Sequence, residues 1–174
     1  HSTSAVLGFP RIGPQREVKK ALEAYWGDKI SAEELLKVAK EQRLNTYATI
    51  KEQGVDFVPT GTFSLYDHVL DASNTFGVVP EAYAKSGLSP LDTYFAMARG
   101  HQKGGVDLPA TEMKKWFDSN YHYLVPEFSE KSEFKLNNTK PVDEFVEAKE
   151  AGYNARPVVV GPITLLWLGK VSED

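Results

Sequence analysis

The chain has 174 residues, 41% hydrophobic and 25% charged, with a net charge of -4 and no cysteine. That length and balance describe a globular chain with a sizeable core, not a disordered or fibrous one. They give no global reason to bind nucleic acid or an anionic membrane, and they exclude disulfides, thiol nucleophiles and thiolate metal sites within these residues.

In chain order, residues 1–5 hold neither the basic nor the apolar segment of a secretory signal, so a cytoplasmic setting is expected. His1 stands where Met would open a reading frame, and a cloning remnant or a trimmed terminus is expected. A short strand is expected over 5–9, stopped by Pro10 and the Gly13-Pro14 pair. Pro14 suits the first turn of a helix, and Val18, Ala21, Leu22, Tyr25 and Trp26 recur at the spacing of one helix face. Ser31 and Glu34 form a capping box for a second helix, with Leu35, Val38, Ala39 and Gln42 on one face and Gly54 at its end. Residues 55–59 read as a second strand, 66–76 and 90–99 as helices, and 100–105 as a flexible loop. A short helix over 111–117 leads into a third strand over 121–125. A helix over 141–151 closes at Gly152, and 157–160 is a fourth strand, apolar on both faces as covered parallel strands are. A last helical stretch, 164–170, runs to the end without a cap, and no apolar run approaches the roughly 18 residues of a membrane span.

Strands alternating with helices imply a parallel α/β sheet. Four strands are half of an eight-stranded barrel, which takes roughly 250 residues. The expected fold is therefore α/β, an incomplete (βα)8 TIM-type barrel. Residues 1–174 would form about its first half, with no internal repeat or linker marking a second domain.

Arg16, Lys19 and Lys20 recur at i, i+3 and i+4, so their heads share one side of the first helical turns. Cations oppose the helix dipole there, and a held anion, helped by free N–H groups at the helix start, would offset that cost. A solvated basic face explains the same residues, and the spacing leaves both readings open. Asp67 and Asp71 near a helix start, beside His68, read as dipole-stabilising acids rather than as part of a metal or general-base site. His122, in the alternating pattern of the third strand, reads as a satisfied core histidine. The four histidines make no metal signature, and the glycines form no phosphate loop.

Three segments identify a family. These are Leu7-Gly8-Phe9-Pro10-Arg11-Ile12-Gly13-Pro14, Trp116-Phe117-Asp118-Ser119-Asn120-Tyr121-His122-Tyr123 and Arg156-Pro157-Val158-Val159-Val160-Gly161-Pro162. Together they resemble the N-terminal part of cobalamin-independent methionine synthase, over residues 6–171. The resemblance implies transfer of a methyl group from 5-methyltetrahydrofolate bearing a triglutamate tail to homocysteine. Arg16-Glu17-Val18-Lys19 matches the family's folate-contacting Arg-Glu-Leu-Lys pattern, with Val18 for Leu. Lys115 and Asn120 match a Lys-Trp-Phe…Asn-Tyr-His-Tyr pattern. Tail-contacting roles are thus implied for Arg16, Glu17, Val18, Lys19, Lys115 and Asn120, while most of the rings are expected to be structural. The family's zinc, held by His, Glu and two Cys, is implied to lie in a second, C-terminal barrel. No catalytic residue, metal ligand or cofactor is expected within these residues, and the remaining part of the same polypeptide is the expected partner. The other readings are a stand-alone barrel enzyme acting on a phosphorylated metabolite, and a non-catalytic folate-binding module.

Overall fold

Helices α1 (Glu17–Trp26) and α2 (Ala32–Glu52) open the computed structural model, which describes residues 2–171. Strand β1 (Val58–Thr60) is followed by helices α3 (His68–Thr75), α4 (Glu81–Ala84) and α5 (Pro90–Arg99). Short strands come next: β2 (His101–Lys103), β3 (Val106–Leu108), β4 (Met113–Lys115), β5 (His122–Leu124) and β6 (Glu127–Phe128). Helix α6 (Lys140–Glu150), strand β7 (Ala155–Pro157), helix α7 (Pro162–Leu168) and strand β8 (Lys170–Val171) follow. These elements fall into two compact units, one of residues up to 65 with 140–159, the other of 66–139 with those from 160 onward.

In the first unit the capping box forms as the sequence requires. Ser31 Oγ accepts the Glu34 N–H at 3.1 Å, and Glu34 Oε2 accepts the Ser31 N–H at 2.8 Å. Helix α1 packs on α2, burying Val18, Ala21 and Leu22 from one and Leu35 and Ala39 from the other. Farther along α2, Tyr47 and Ile50 join Val58 and Ala148 in a small core flanked by Val6 and Tyr153. Strand β1 pairs in parallel with β7, Val58 opposite Ala155, and Phe57 bridges Ala5, also in parallel. The strand expected over 5–9 is thus reduced to one bridge. Gly61 stands at φ 80° where its missing side chain lets the Val158 carbonyl approach β1; a Cβ would meet that oxygen at 2.7 Å.

A charge cluster joins α2 to α6. Arg43 donates from Nε and Nη2 to the two carboxylate oxygens of Glu147 at 2.8 and 3.0 Å. Lys140 Nζ donates to Glu144 Oε2 at 2.9 Å and to the Phe63 carbonyl at 2.7 Å. Desolvation pulls the Arg43 guanidinium down, but the Glu147 hydrogen bonds and the charges of Glu144 and Glu147 outweigh it and raise its pKa.

In the second unit Val69, Tyr123, Val125, Leu165 and Leu168 form the core, with Trp116, Phe76 and Phe128 packed against it. Here two expectations are corrected. Residues 100–105 are not a loose loop: β2 and β3 pair antiparallel about Gly104 and Gly105, at φ 60° and 80°, the left-handed pair that a two-residue hairpin turn needs. Nor is 111–117 a helix; β4 pairs antiparallel with β5, Met113 opposite Leu124 and Lys115 opposite His122. The strand around Tyr123 is therefore one arm of a hairpin rather than a third parallel strand, because a tight turn closes antiparallel neighbours whereas a parallel pair needs a crossover. Strands β6 and β8 do pair in parallel. The described residues form a mixed α/β structure of two-stranded sheets, with no closed barrel.

Candidate functional site

The expected site residues fall into two groups, one in each unit. At the start of α1, Arg16 is the residue before the helix and adopts the left-handed region at φ 60°, with no side-chain cap. Its N–H closes a turn onto the Gly13 carbonyl at 3.0 Å. Gly13, at φ 90°, leaves room for the Glu17 carboxylate, which swings back to accept the Gln15 N–H at 3.1 Å. The Val18 N–H bonds the Ile12 carbonyl at 3.1 Å. This narrows the expectation of free N–H groups at the helix start: the Val18 donor is taken by the chain, and a carboxylate of the protein already lies over the turn. Any anion here would be held mainly by side-chain cations.

Those cations are accessible. Arg16 and Lys20 are exposed, and the Lys19 side chain is 44% exposed, with Nζ 3.9 Å from Glu23 Oε1. So open an ion pair contributes little and leaves Lys19 able to change partner. Val18, in contrast, is 2% exposed and belongs to the α1–α2 packing.

The second group lies on the β4–β5 hairpin. Lys115 ends β4, and Asn120 precedes β5 by two residues; both are exposed. Between them the turn is tightly bonded. The Trp116 N–H donates to the Tyr121 carbonyl at 2.6 Å, Ser119 Oγ donates to the Trp116 carbonyl at 2.6 Å, and Phe117 takes φ 50°. Trp116 meets Tyr123 edge-on at 6.0 Å, so these two rings are structural as expected, whereas Phe117 is 58% exposed. His122 is corrected: it is an exposed residue of the hairpin, its Nδ1 3.1 Å from the Asn120 carbonyl.

Asp67 caps α3, its carboxylate accepting the Leu70 N–H at 2.9 Å. It also takes the Leu124 N–H at 3.1 Å and the Tyr121 hydroxyl. The sequence shows the cap but not the other two bonds, which come from residues more than fifty positions away. Among the described residues no three His, Asp or Glu side chains gather as a metal site, and no helix is long and apolar enough to cross a membrane.

Residues 3–174 match the family model of the cobalamin-independent synthase N-terminal domain. The chain belongs to this family. A probable 5-methyltetrahydropteroyltriglutamate–homocysteine methyltransferase of Schizosaccharomyces pombe is 59% identical, the match covering 98% of this chain and 23% of that protein. Proteins named as the same methyltransferase in Saccharomyces cerevisiae and Flavobacterium johnsoniae are 56% and 52% identical, over 98% and 97% of this chain and 23% and 22% of theirs. The chain thus spans about a quarter of the length of these relatives. As a cobalamin-independent synthase N-terminal domain, it presents two exposed basic positions, the α1 start and the hairpin tip, each held by backbone bonds local to it.

Proposed function

We propose that this chain is the folate-side part of a cytoplasmic methyltransferase that moves a methyl group from 5-methyltetrahydropteroyltriglutamate to homocysteine, forming methionine. The observation that carries the reading is the whole-length family match, together with relatives whose names specify that donor and acceptor. A triglutamate tail presents several carboxylates, and exposed Arg and Lys heads offer charge-assisted hydrogen bonds to them. Arg16 and Lys19 supply these at the α1 start, and Lys115 at the hairpin, where Asn120 adds a neutral donor and acceptor. Glu17 shapes the turn that presents Arg16. Val18 holds α1 on α2, so that its neighbour Lys19 faces solvent.

The fold reading that goes with this function is about the first half of an N-terminal (βα)8 barrel spanning residues 1–174, completed by the rest of a longer polypeptide. The parallel pairings of β1 with Ala5's segment and with β7, and of β6 with β8, support it. The chain's own residues do not fit the zinc of the family, since two of its four ligands are thiolates and the chain has no cysteine. When bound elsewhere in the polypeptide, zinc would activate the homocysteine sulfur. The role left to these residues is to bind and orient the methyl donor by its tail.

Methionine formation from homocysteine and the triglutamate donor tests this reading. The full-length polypeptide should catalyse it, and the 1–174 chain alone should not. Turnover by the isolated chain, or none by the full-length protein with zinc supplied, would overturn the assignment.

A further inference from the structure

Asp67 is 1% exposed and binds more than a helix cap requires. A cap needs one acceptor for one N–H, which Ser or Asn would supply equally well. The Asp67 carboxylate takes three donors: the Leu70 N–H of its own helix, the Leu124 N–H of β5 and the Tyr121 hydroxyl at the hairpin turn. Three donors offset the desolvation of a buried carboxylate. Two of them belong to the hairpin. A second link backs the first, for Tyr94 OH donates to Asp71 Oδ1 at 2.6 Å and accepts the Tyr66 N–H at 3.1 Å, holding the chain on both sides of Asp67.

Packing of Tyr123 holds β5 to the core, and the tether extends that hold to the tip of the hairpin. Its arms are three residues long and β4 is exposed along its length, and two-stranded hairpins are marginal alone in water. Tyr121 follows Asn120 directly, and its carbonyl receives the Trp116 N–H next to Lys115. One hydroxyl bond to Asp67 therefore fixes the foot of the turn that presents both side chains.

We propose that Asp67, acting through Tyr121, is a positioning residue that pre-orders the hairpin tip and so sets the preference for a several-carboxylate tail. This rests on the reading of Lys115 and Asn120 as tail contacts.

The test uses the full-length enzyme, measuring dissociation constants for 5-methyltetrahydrofolate with one and with three glutamates. Tyr121→Phe removes only the hydroxyl and leaves the Asp67 cap and the Leu124 bond in place. It should weaken triglutamate binding about threefold to tenfold, the cost of re-ordering one or two side chains on binding, and leave monoglutamate binding within about twofold. Asp67→Asn should act in the same direction; if that variant does not fold, Tyr121→Phe decides alone. Lys115→Ala separates the two ideas. If it lowers triglutamate preference while Tyr121→Phe does not, the positioning role is wrong and the tail contact stands. Equal weakening of both folates by Tyr121→Phe would mean a merely structural bond and also overturns the proposal. If Lys115→Ala and Asn120→Ala both leave the preference intact, the tail-contact reading fails and the proposal with it.

Discussion

Val18 and Lys19 are adjacent in sequence and differ in what they do. Val18 is buried between α1 and α2, while Lys19 reaches solvent with only a loose partner in Glu23. Val18→Ala should therefore cost about 1–2 kcal/mol of stability, from two lost methyl groups and an imperfectly closed gap, while lowering folate affinity far less than Lys19→Ala does. Urea denaturation beside a binding titration checks both halves. The amphipathic spacing was enough to read Val18 as a core residue and the cations as a shared face. It was not enough to show that Glu17 folds back over the Gly13 turn, because that depends on a left-handed Arg16 which no propensity favours. Asp67 was legible as a helix-start acid for the same local reason, and illegible as the anchor of Tyr121, a contact made only once the chain is folded.

Among the elements, α2 is legible in the sequence because its signals are local, a capping box at Ser31 and Gly54 beyond its end, whereas α1 begins at Glu17 and not at Pro14, because a left-handed Arg16 intervenes. The hairpins were missed for two physical reasons. Met113-Lys114-Lys115 has no β-branched or aromatic residue, so its strand is imposed by pairing with β5 rather than by propensity. The Gly104-Gly105 pair is a hairpin signal, but its flanks, His-Gln-Lys and Val-Asp-Leu, are too polar to mark strands. The α2–α6 charge cluster yields a prediction at this scale. Arg43→Met leaves the largely buried Glu147 without its cation and Glu144 with Lys140 alone, and should cost about 3 kcal/mol in chemical denaturation. Tyr47, buried beside the same cluster, has its pKa raised above the ordinary tyrosine range, first by desolvation and then by the charge of Glu144. With the folded value above the unfolded one, its contribution is fully present below about pH 10 and is lost as pH climbs toward the raised folded value. Tyr47→Phe should flatten that alkaline loss of stability in pH-dependent denaturation, and an unchanged slope would contradict it.

At the scale of the whole molecule, α7 is apolar except for Thr164. Leu165 and Leu168 enter the core of their unit, while Ile163, Leu166 and Trp167 are 81%, 51% and 71% exposed. A helix of that kind belongs inside a larger structure, in keeping with a chain that spans 23% of its relative's length. The isolated 1–174 chain should therefore self-associate in sedimentation velocity, and Trp167→Lys should reduce that association. The most direct test of tail binding is a comparison of full-length wild type and Lys19→Ala for folates bearing one and three glutamates. Loss of a charge-assisted bond predicts that Lys19→Ala weakens triglutamate binding by about 1–3 kcal/mol, monoglutamate binding by less, and both losses shrink as salt rises. If Lys19→Ala binds both folates as wild type does, the cations at the start of α1 are a solvated face and not the tail site.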